Sequence, residues 1–192
     1  MIEVTQKEKN VILEILHSAF YDVLIPNSIN FTIKKDTKRY ERLMALMDYQ
    51  FKMAMKYGEI FLSDDKNGCV LYINKIYPSI QKVYWETELL LKCIGVQNIF
   101  KILKREKLLM TSHPKEPFKH LWLMGIRKEY QGKGIGSKLL KETLNRYQGD
   151  VIYVETTTPQ NIKFYTRLGF TIFHETNELN YPLFFLKLRP YG

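Results

Sequence analysis

Apolar residues recurring at three- and four-residue intervals predict two amphipathic helices in the first third of the chain. Val11, Ile12, Ile15, Leu16, Ala19 and Phe20 form one stripe, with Thr5 placed to cap its start and Pro26-Asn27 to end it. Leu43, Leu46, Met47, Phe51 and Met55 form a second across 38–57, with Gly58 at its end. His17 falls inside the first stripe and reads as a structural residue. A short strand at 1–4 precedes the first helix, and the loop between the helices runs over roughly 21–37. The pattern then changes to strand-like runs at 59–63 and 69–73. Between them, Asp64-Asp65-Lys66-Asn67-Gly68 reads as a hairpin turn in which Asn67-Gly68 favours positive φ.

The stretch 74–119 is longer than a hairpin requires. Ile80, Val83, Tyr84, Leu89, Leu90, Leu91 and Ile94, then Ile99, Phe100, Ile102 and Leu103, predict one broken helix or two, with the break at Gly95. A buried strand follows at 121–126. Next, Ile135, Leu139, Thr143 and Tyr147, with Leu140 and Leu144 beside them, predict a helix stopped by Gly149. A second apolar, β-branched run at 151–156 leads to Thr158-Pro159, a cap and first-position pair for a short helix that Gly169 ends. Runs at 170–175 and 182–188 supply a last pair of strands. The expected fold is therefore α/β, a mixed sheet flanked by helices in three layers, forming a single domain over 1–192. The stretch 74–119 would be a helical insertion between the third and fourth strands. It is a candidate for shaping substrate specificity, for a homodimer contact, or for plain packing on the sheet.

Composition narrows the class. At 192 residues and 45% apolar content, one core is affordable without disulfides, and two isolated cysteines, Cys69 and Cys93, make neither a disulfide framework nor a metal site. No apolar run approaches the length of a membrane span and no secretory leader pattern begins the chain, so a cytoplasmic protein without membrane association is expected. The net charge of +9 is spread along the chain rather than gathered in an arm, and no RRM, zinc-finger or helix-turn-helix pattern accompanies it, so nucleic acid is not the expected partner.

The charge is locally informative around Arg127 to Leu140. Gly132, Gly134 and Gly136 stand at alternate positions between the strand at 121–126 and the helix that follows, where open helix-terminal amides favour an anion. The P-loop spacing fails, and the dinucleotide fingerprint fails because only Ile135 separates Gly134 from Gly136. Gln131-x-x-Gly134-x-Gly136 resembles the acetyl-CoA signature of the GNAT superfamily of N-acetyltransferases. Asn161 and Tyr165, four residues apart on one short helix and followed by Gly169-Phe170, resemble its second signature. The resemblance is close over 121–175, the cofactor-binding core, and topological elsewhere.

That resemblance implies an acetyl-CoA-dependent N-acetyltransferase that needs no metal and acts on a primary amine of a small molecule or peptide by direct attack. A non-catalytic acyl-CoA-binding module of the same fold is the alternative. It implies that the strands at 121–126 and 151–156 run parallel and splay to admit the pantetheine arm. Met124, Gly125, Ile126 and Arg127 would lie along that arm, with Gly125 giving it room, and Gln131, Gly132, Lys133, Gly134, Ile135, Gly136 and Ser137 would hold the phosphates. Arg127, Lys128, Lys133 and Lys138, opposed by Glu129, would present a basic mouth to a cofactor carrying about four negative charges. Asn161 and Tyr165 would complete the cofactor site, with Tyr165 also the proton donor to the departing thiolate. Glu155 is the favoured general base, with His120, Glu86, Glu88 or water as alternatives, and the acceptor itself is left open among polyamines, antibiotics, amino acids and protein N-termini.

Overall fold

A computed structural model describes residues 1–189. In chain order its elements are β1 (Ile2–Glu3), α1 (Lys9–Phe20), α2 (Ser28–Thr32), α3 (Arg39–Tyr57), β2 (Gly58–Leu62), β3 (Gly68–Ile73), α4 (Ile80–Leu89), α5 (Ile99–Ser112), β4 (Lys119–Ile126), α6 (Ile135–Arg146), β5 (Ile152–Thr156), α7 (Pro159–Thr166), β6 (Thr171–Thr176) and β7 (Leu183–Leu188). A π-helical turn at Leu90–Ile94 continues α4 and is closed by Gly95, whose φ of 78° reverses the chain before α5.

The seven strands form one mixed sheet in the order β1-β2-β3-β4-β5-β7-β6. Neighbours are antiparallel except β4 and β5, which run parallel and pair only at Lys119 with Ile152 and His120 with Tyr153. Beyond those pairs β4 continues along β3 and β5 along β7. The two central strands therefore splay, as expected, and the β5-facing edge of β4 from Leu121 onward has no strand partner. Where the β3–β4 register shifts between Leu71 and Tyr72, Trp122 is the unpaired extra residue on β4.

Alternation along the strands sorts side chains between two faces. On one face, Ile60, Leu62, Cys69, Leu71 and Leu123 pack under α1, α3 and the α4 region. Farther along that face, Tyr153, Leu183 and Phe185 meet Leu108 and Leu109 of α5 and Phe31 of α2. On the other, Phe61, Val70, Tyr72, Leu121, Ile152, Val154 and Leu186 pack against Leu139, Leu140 and Tyr147 of the α6 region and Tyr165 of α7. The sheet is thus the middle of three layers.

The local signals mostly act as read. Thr5 and Glu8 form a reciprocal capping box, and Thr158 Oγ1 accepts from the amide of Asn161 at 3.2 Å with Pro159 leading α7. Two details differ. The positive φ of the β2–β3 turn belongs to Lys66, not to Asn67-Gly68, because the Asp65 carboxylate and the Ser63 hydroxyl hold the Asn67 amide and fix the loop around them. Gly68 lies within β3, where the Ile126 side-chain tip occupies the space a Cβ would take, 2.5 Å away. The loop after α1 also contains α2, capped by Asn27, whose side chain accepts from the amide of Asn30 at 2.8 Å.

Candidate active site

The glycine-spaced turn emerges from the end of β4. Gly132 and Gly134 have φ of 77° and 83°, the left-handed region that side-chain-bearing residues avoid, and nothing stands within 4 Å of where a Cβ would be on either. Gly136 plays a different part. A Cβ there would approach Met124 Cε at 3.1 Å, so its absence seats α6 against β4. Gln131 turns back and donates from Nε2 to the main-chain oxygen of Ile126 at 3.0 Å, tying the turn to the end of the strand. Among the described residues, none of the amides from Gly132 to Ser137 donates to a main-chain carbonyl. The result is an open concavity of unpaired N–H groups at a helix N-terminus, a cradle that fits a pyrophosphate.

The charges around the cradle are less free than their count implies. Arg127 meets Glu14 at 3.0 Å, Lys128 meets Asp22 at 2.5 Å, and Lys138 lies 3.7 Å from Asp64 and 3.9 Å from Glu142. Acids from other elements therefore offset most of the local +3. Lys133, stacked 4.7 Å from the Tyr130 ring, is the cation of the four without a carboxylate partner among the described residues. These pairs are exposed and individually weak, so an incoming phosphate can displace them.

Gly125 is also explained otherwise than expected. Its Cβ position would lie 3.0 Å from Leu16 Cδ2 and 3.2 Å from Ala19 Cβ, so the missing side chain makes room for α1. Met124, Ile126 and Arg127 are half-buried along the same strand end, and Ile135 and Ser137 are half-buried in the first turn of α6.

Glu155 and His120, named separately as candidate bases, are one unit. His120 Nε2 lies 2.5 Å from Glu155 Oε2, with both side chains about one-tenth exposed, at the point where β4 and β5 part. Burial pushes the Glu155 carboxyl up, but His120 beside it, then Arg105 and His113, outweigh that and hold it below the ordinary carboxylate range. His113 faces His120 with ring centroids 6.1 Å apart, and Tyr153 lies 4.8 Å from His120 on the same face. The hydroxyl of Tyr153 and Nε of Arg105 are buried without hydrogen-bond partners. Sequence reading did not find Arg105, His113 or Tyr153 as members of this cluster. Glu86 and Glu88 lie apart from it, paired with Lys82 and with Lys52 and Lys92.

Tyr165 is buried on the opposite face, against Phe170 with ring centroids 5.4 Å apart. Burial raises its phenol pKa, and the Glu155 charge acting across the parted strands raises it further, so it stays protonated at neutral pH. Asn161, one turn earlier on α7, is exposed. The parted strands thus lie between a carboxylate–imidazole pair on the α5 face and a neutral phenol on the α7 face.

Residues 93–172, which run from the turn before α5 through β4, the cradle, α6, β5 and α7 into β6, match the acetyltransferase (GNAT) domain family. The match covers somewhat less than half of the chain. Solved structures with the same fold extend the likeness over the whole length. A histone acetyltransferase and related acetyltransferase from Corynebacterium glutamicum is 19% identical with a TM-score of 0.71, covering 100% of this chain and 96% of that one. Arylalkylamine N-acetyltransferase 2 from Aedes aegypti is 17% identical with a TM-score of 0.64, covering 99% and 98%. The ribosomal-protein-S18-alanine N-acetyltransferase from Escherichia coli is 11% identical with a TM-score of 0.54, covering 100% and 94%. At these identities the likeness is one of fold.

Among the described residues no group of side chains is arranged to hold a metal ion, and no helix is long and apolar enough to cross a membrane.

Proposed function

We propose that this protein is an acetyl-CoA-dependent N-acetyltransferase acting on a primary amine. The observation that carries the reading is the gap between β4 and β5, with an anion cradle at its outer end, a buried base on one face and a buried phenol on the other. The cofactor's pyrophosphate would sit on the amides of Gly132 to Ser137, with Gln131 and Lys133 at the rim. Its pantetheine arm would lie along Met124 to Arg127, pairing with the free edge of β4 as an added strand does. Asn161 would meet the arm from α7. Bound there, acetyl-CoA supplies the activated acyl group.

The residues then have distinct tasks. An alkylamine with a pKa of about 10 arrives as an ammonium and must lose a proton before it attacks. Glu155 accepts that proton with His120 fixing its orientation, and the pair holds it as a unit. The nitrogen bonds to the acyl carbon, and the developing oxyanion meets a main-chain amide at the end of β4. When the carbon–sulfur bond breaks, the electron pair leaves on sulfur and takes the Tyr165 proton, while the nitrogen gives up its second proton to restore the phenol, directly or through water. A protonated phenol is suited to that role, because a carboxylate near the sulfur would repel the thiolate. The proton held by Glu155 leaves to solvent.

Tyr165→Phe tests the assignment. The substitution keeps the ring against Phe170 and removes only the hydroxyl. Turnover measured by thiol release is expected to fall by about 10² or more while acetyl-CoA affinity measured by calorimetry is kept. Unchanged turnover would overturn the role given to Tyr165, and no affinity for acetyl-CoA in the unaltered protein would overturn the reading as a whole.

A further inference from the structure

The Glu155 carboxylate, paired with His120, faces two basic residues on α5. Arg105 and Lys101 are four residues apart, and so share a face of that helix. Arg105 reaches under the helix toward the sheet. Its Nε is buried with no partner, its hydrogen-bonded carboxylate is that of its sequence neighbour Glu106, and its side chain is only 17% exposed. Lys101 places Nζ 4.1 Å from the centroid of the Phe31 ring and has no carboxylate partner among the described residues. Phe31 in turn packs edge-on against Tyr181 at 5.5 Å, and the Tyr181 hydroxyl lies 3.2 Å from Ser28 Oγ. These side chains form one wall, built from α2, α5 and the segment before β7. The wall stands over Tyr153, whose hydroxyl also lacks a partner.

Neither Arg105 Nε nor the Tyr153 hydroxyl has a partner at full hydrogen-bonding geometry, although Glu155 lies beside the Tyr153 hydroxyl and Tyr181 beside Arg105. Such incompletely paired donors in the interior are rare, and both can donate to an anionic oxygen. Arg105 also matches the two oxygens of a carboxylate or phosphate in shape. Resting on the reading of the site as an amine acetyltransferase, we infer that the acceptor is an amine whose carrier also bears an anionic group, a carboxylate or a phosphate. The ammonium end is drawn to Glu155 and His120, and the anionic end to Arg105 and Lys101, with the Tyr153 hydroxyl between them. Such a bipolar site disfavours a polyamine, because Arg105 and Lys101 repel its second ammonium.

The surrounding charges agree. Burial and the nearby Lys35 hold the Lys101 ammonium below its ordinary pKa, so an anion there relieves an unfavourable charge. Burial would lower the Arg105 guanidinium as well, but Glu106, Tyr181 and Glu155 raise it, so it stays charged beside Glu155.

The test uses the full chain, acetyl-CoA, and matched acceptors that differ only in the anionic group. Phenylalanine is compared with phenethylamine, tryptophan with tryptamine, and phosphoethanolamine with ethanolamine, each by thiol release. In at least one pair the anionic member is expected to exceed its partner by tenfold or more in kcat/KM, and the pair that does so identifies carboxylate or phosphate. Arg105→Gln should raise KM for that anionic acceptor about tenfold and leave KM for the partner lacking the anion unchanged, while Arg105→Lys recovers part of the loss. Failure of the anionic member to exceed its partner in any pair would overturn the inference. So would an equal fall in kcat for both members in Arg105→Gln, since Arg105 would then act only as a counter-ion to Glu155. Acetyl-CoA binding by calorimetry without turnover of any anionic acceptor would overturn the inference and leave the cofactor assignment standing. Absence of acetyl-CoA binding would overturn the functional reading beneath both.

Discussion

His120 Nε2 and Glu155 Oε2 stand 2.5 Å apart across the last point at which β4 and β5 are paired. The contact joins a strand that leads to the cradle with the strand that leaves it. The proposed base and the gap between the strands are therefore fixed by the same two backbones. If the pair works as one base, the cost of losing either member should be shared. Glu155→Gln keeps a hydrogen bond to His120 and removes the charge, and it is expected to lower kcat by about 10² to 10⁴ with acetyl-CoA affinity unchanged. His120→Gln should fall in the same direction. The double variant should be little worse than Glu155→Gln, because coupled groups are not additive. Independent, multiplying losses in thiol-release assays would show that the two act separately.

Gly134 tests the cradle without touching the chemistry. Its φ of 83° makes any side chain strained there, at a cost of about 1–2 kcal/mol, yet no neighbour obstructs the space. Gly134→Ala should therefore fold with slightly reduced stability and bind acetyl-CoA more weakly. Gly134→Glu should abolish binding, since its carboxylate adds repulsion where the phosphates are to sit. Calorimetric titration of the two variants side by side separates shape from charge. Equal affinity in both would place the phosphates elsewhere.

The cradle was legible from the sequence because its demands are local. Two positive φ values favour glycine, and the close contact of α6 with β4 leaves little room for a side chain, while Thr158-Pro159 announced α7 by the same kind of short-range chemistry. What depended on distant segments meeting was not legible. His120 and Glu155 were each visible as titratable residues, but their pairing is set by the β4–β5 register. Arg105 and Tyr153 are far apart in the chain and meet only because α5 lies across β5 and β7. Gly125 was read as leaving space for a ligand when the residues filling that space, Leu16 and Ala19, belong to a helix more than a hundred positions earlier. Helix α2 could have been found. Asn27 is its cap, but beside Pro26 it was read as the end of α1 and not as the start of another helix.

Acid should destabilise the fold before the carboxylates titrate. Burial, and then the Arg39 charge, lower the pKa of His17 from 6.5, and its buried Nε2 has no hydrogen-bond partner. Burial and His120 lower His113 in the same direction. A histidine with a depressed folded pKa contributes stability that is present above its unfolded pKa, here 6.5, and lost as pH falls through the folded value. Melting temperature should therefore drop as pH is taken below 6.5. His17→Phe retains an aromatic ring between Tyr21 and Tyr40, at centroid distances of 4.8 and 4.4 Å in the present arrangement, and removes the proton. Its melting curve should lose less on acidification than that of the unaltered protein. An unchanged pH dependence would assign the acid sensitivity to His113 and the carboxylates.

Gly58 is the glycine whose replacement should harm the fold most. It joins α3 to β2 with a φ of −160°, an extended value open to any residue, so backbone strain is not the reason for it. The reason is the neighbouring strand. A Cβ at Gly58 would fall 1.9 Å from the main-chain oxygen of Tyr72 and 2.9 Å from the Cα of Ile73, and backbone cannot yield as a side-chain tip can. Gly58→Ala must push β2 away from β3 at the register pair Gly58–Ile73, under the cluster formed by Ile60, Leu62 and Leu71. Overpacking of this kind costs about 1–3 kcal/mol, and more where backbone must move. Gly132→Ala is the control, since its φ of 77° is strained but the space before it is empty. In urea unfolding both variants should shift the midpoint downward, Gly58→Ala by clearly more. A larger shift for Gly132→Ala would mean that strain in the cradle, not strand contact at the edge of α3, is the tighter constraint on this fold.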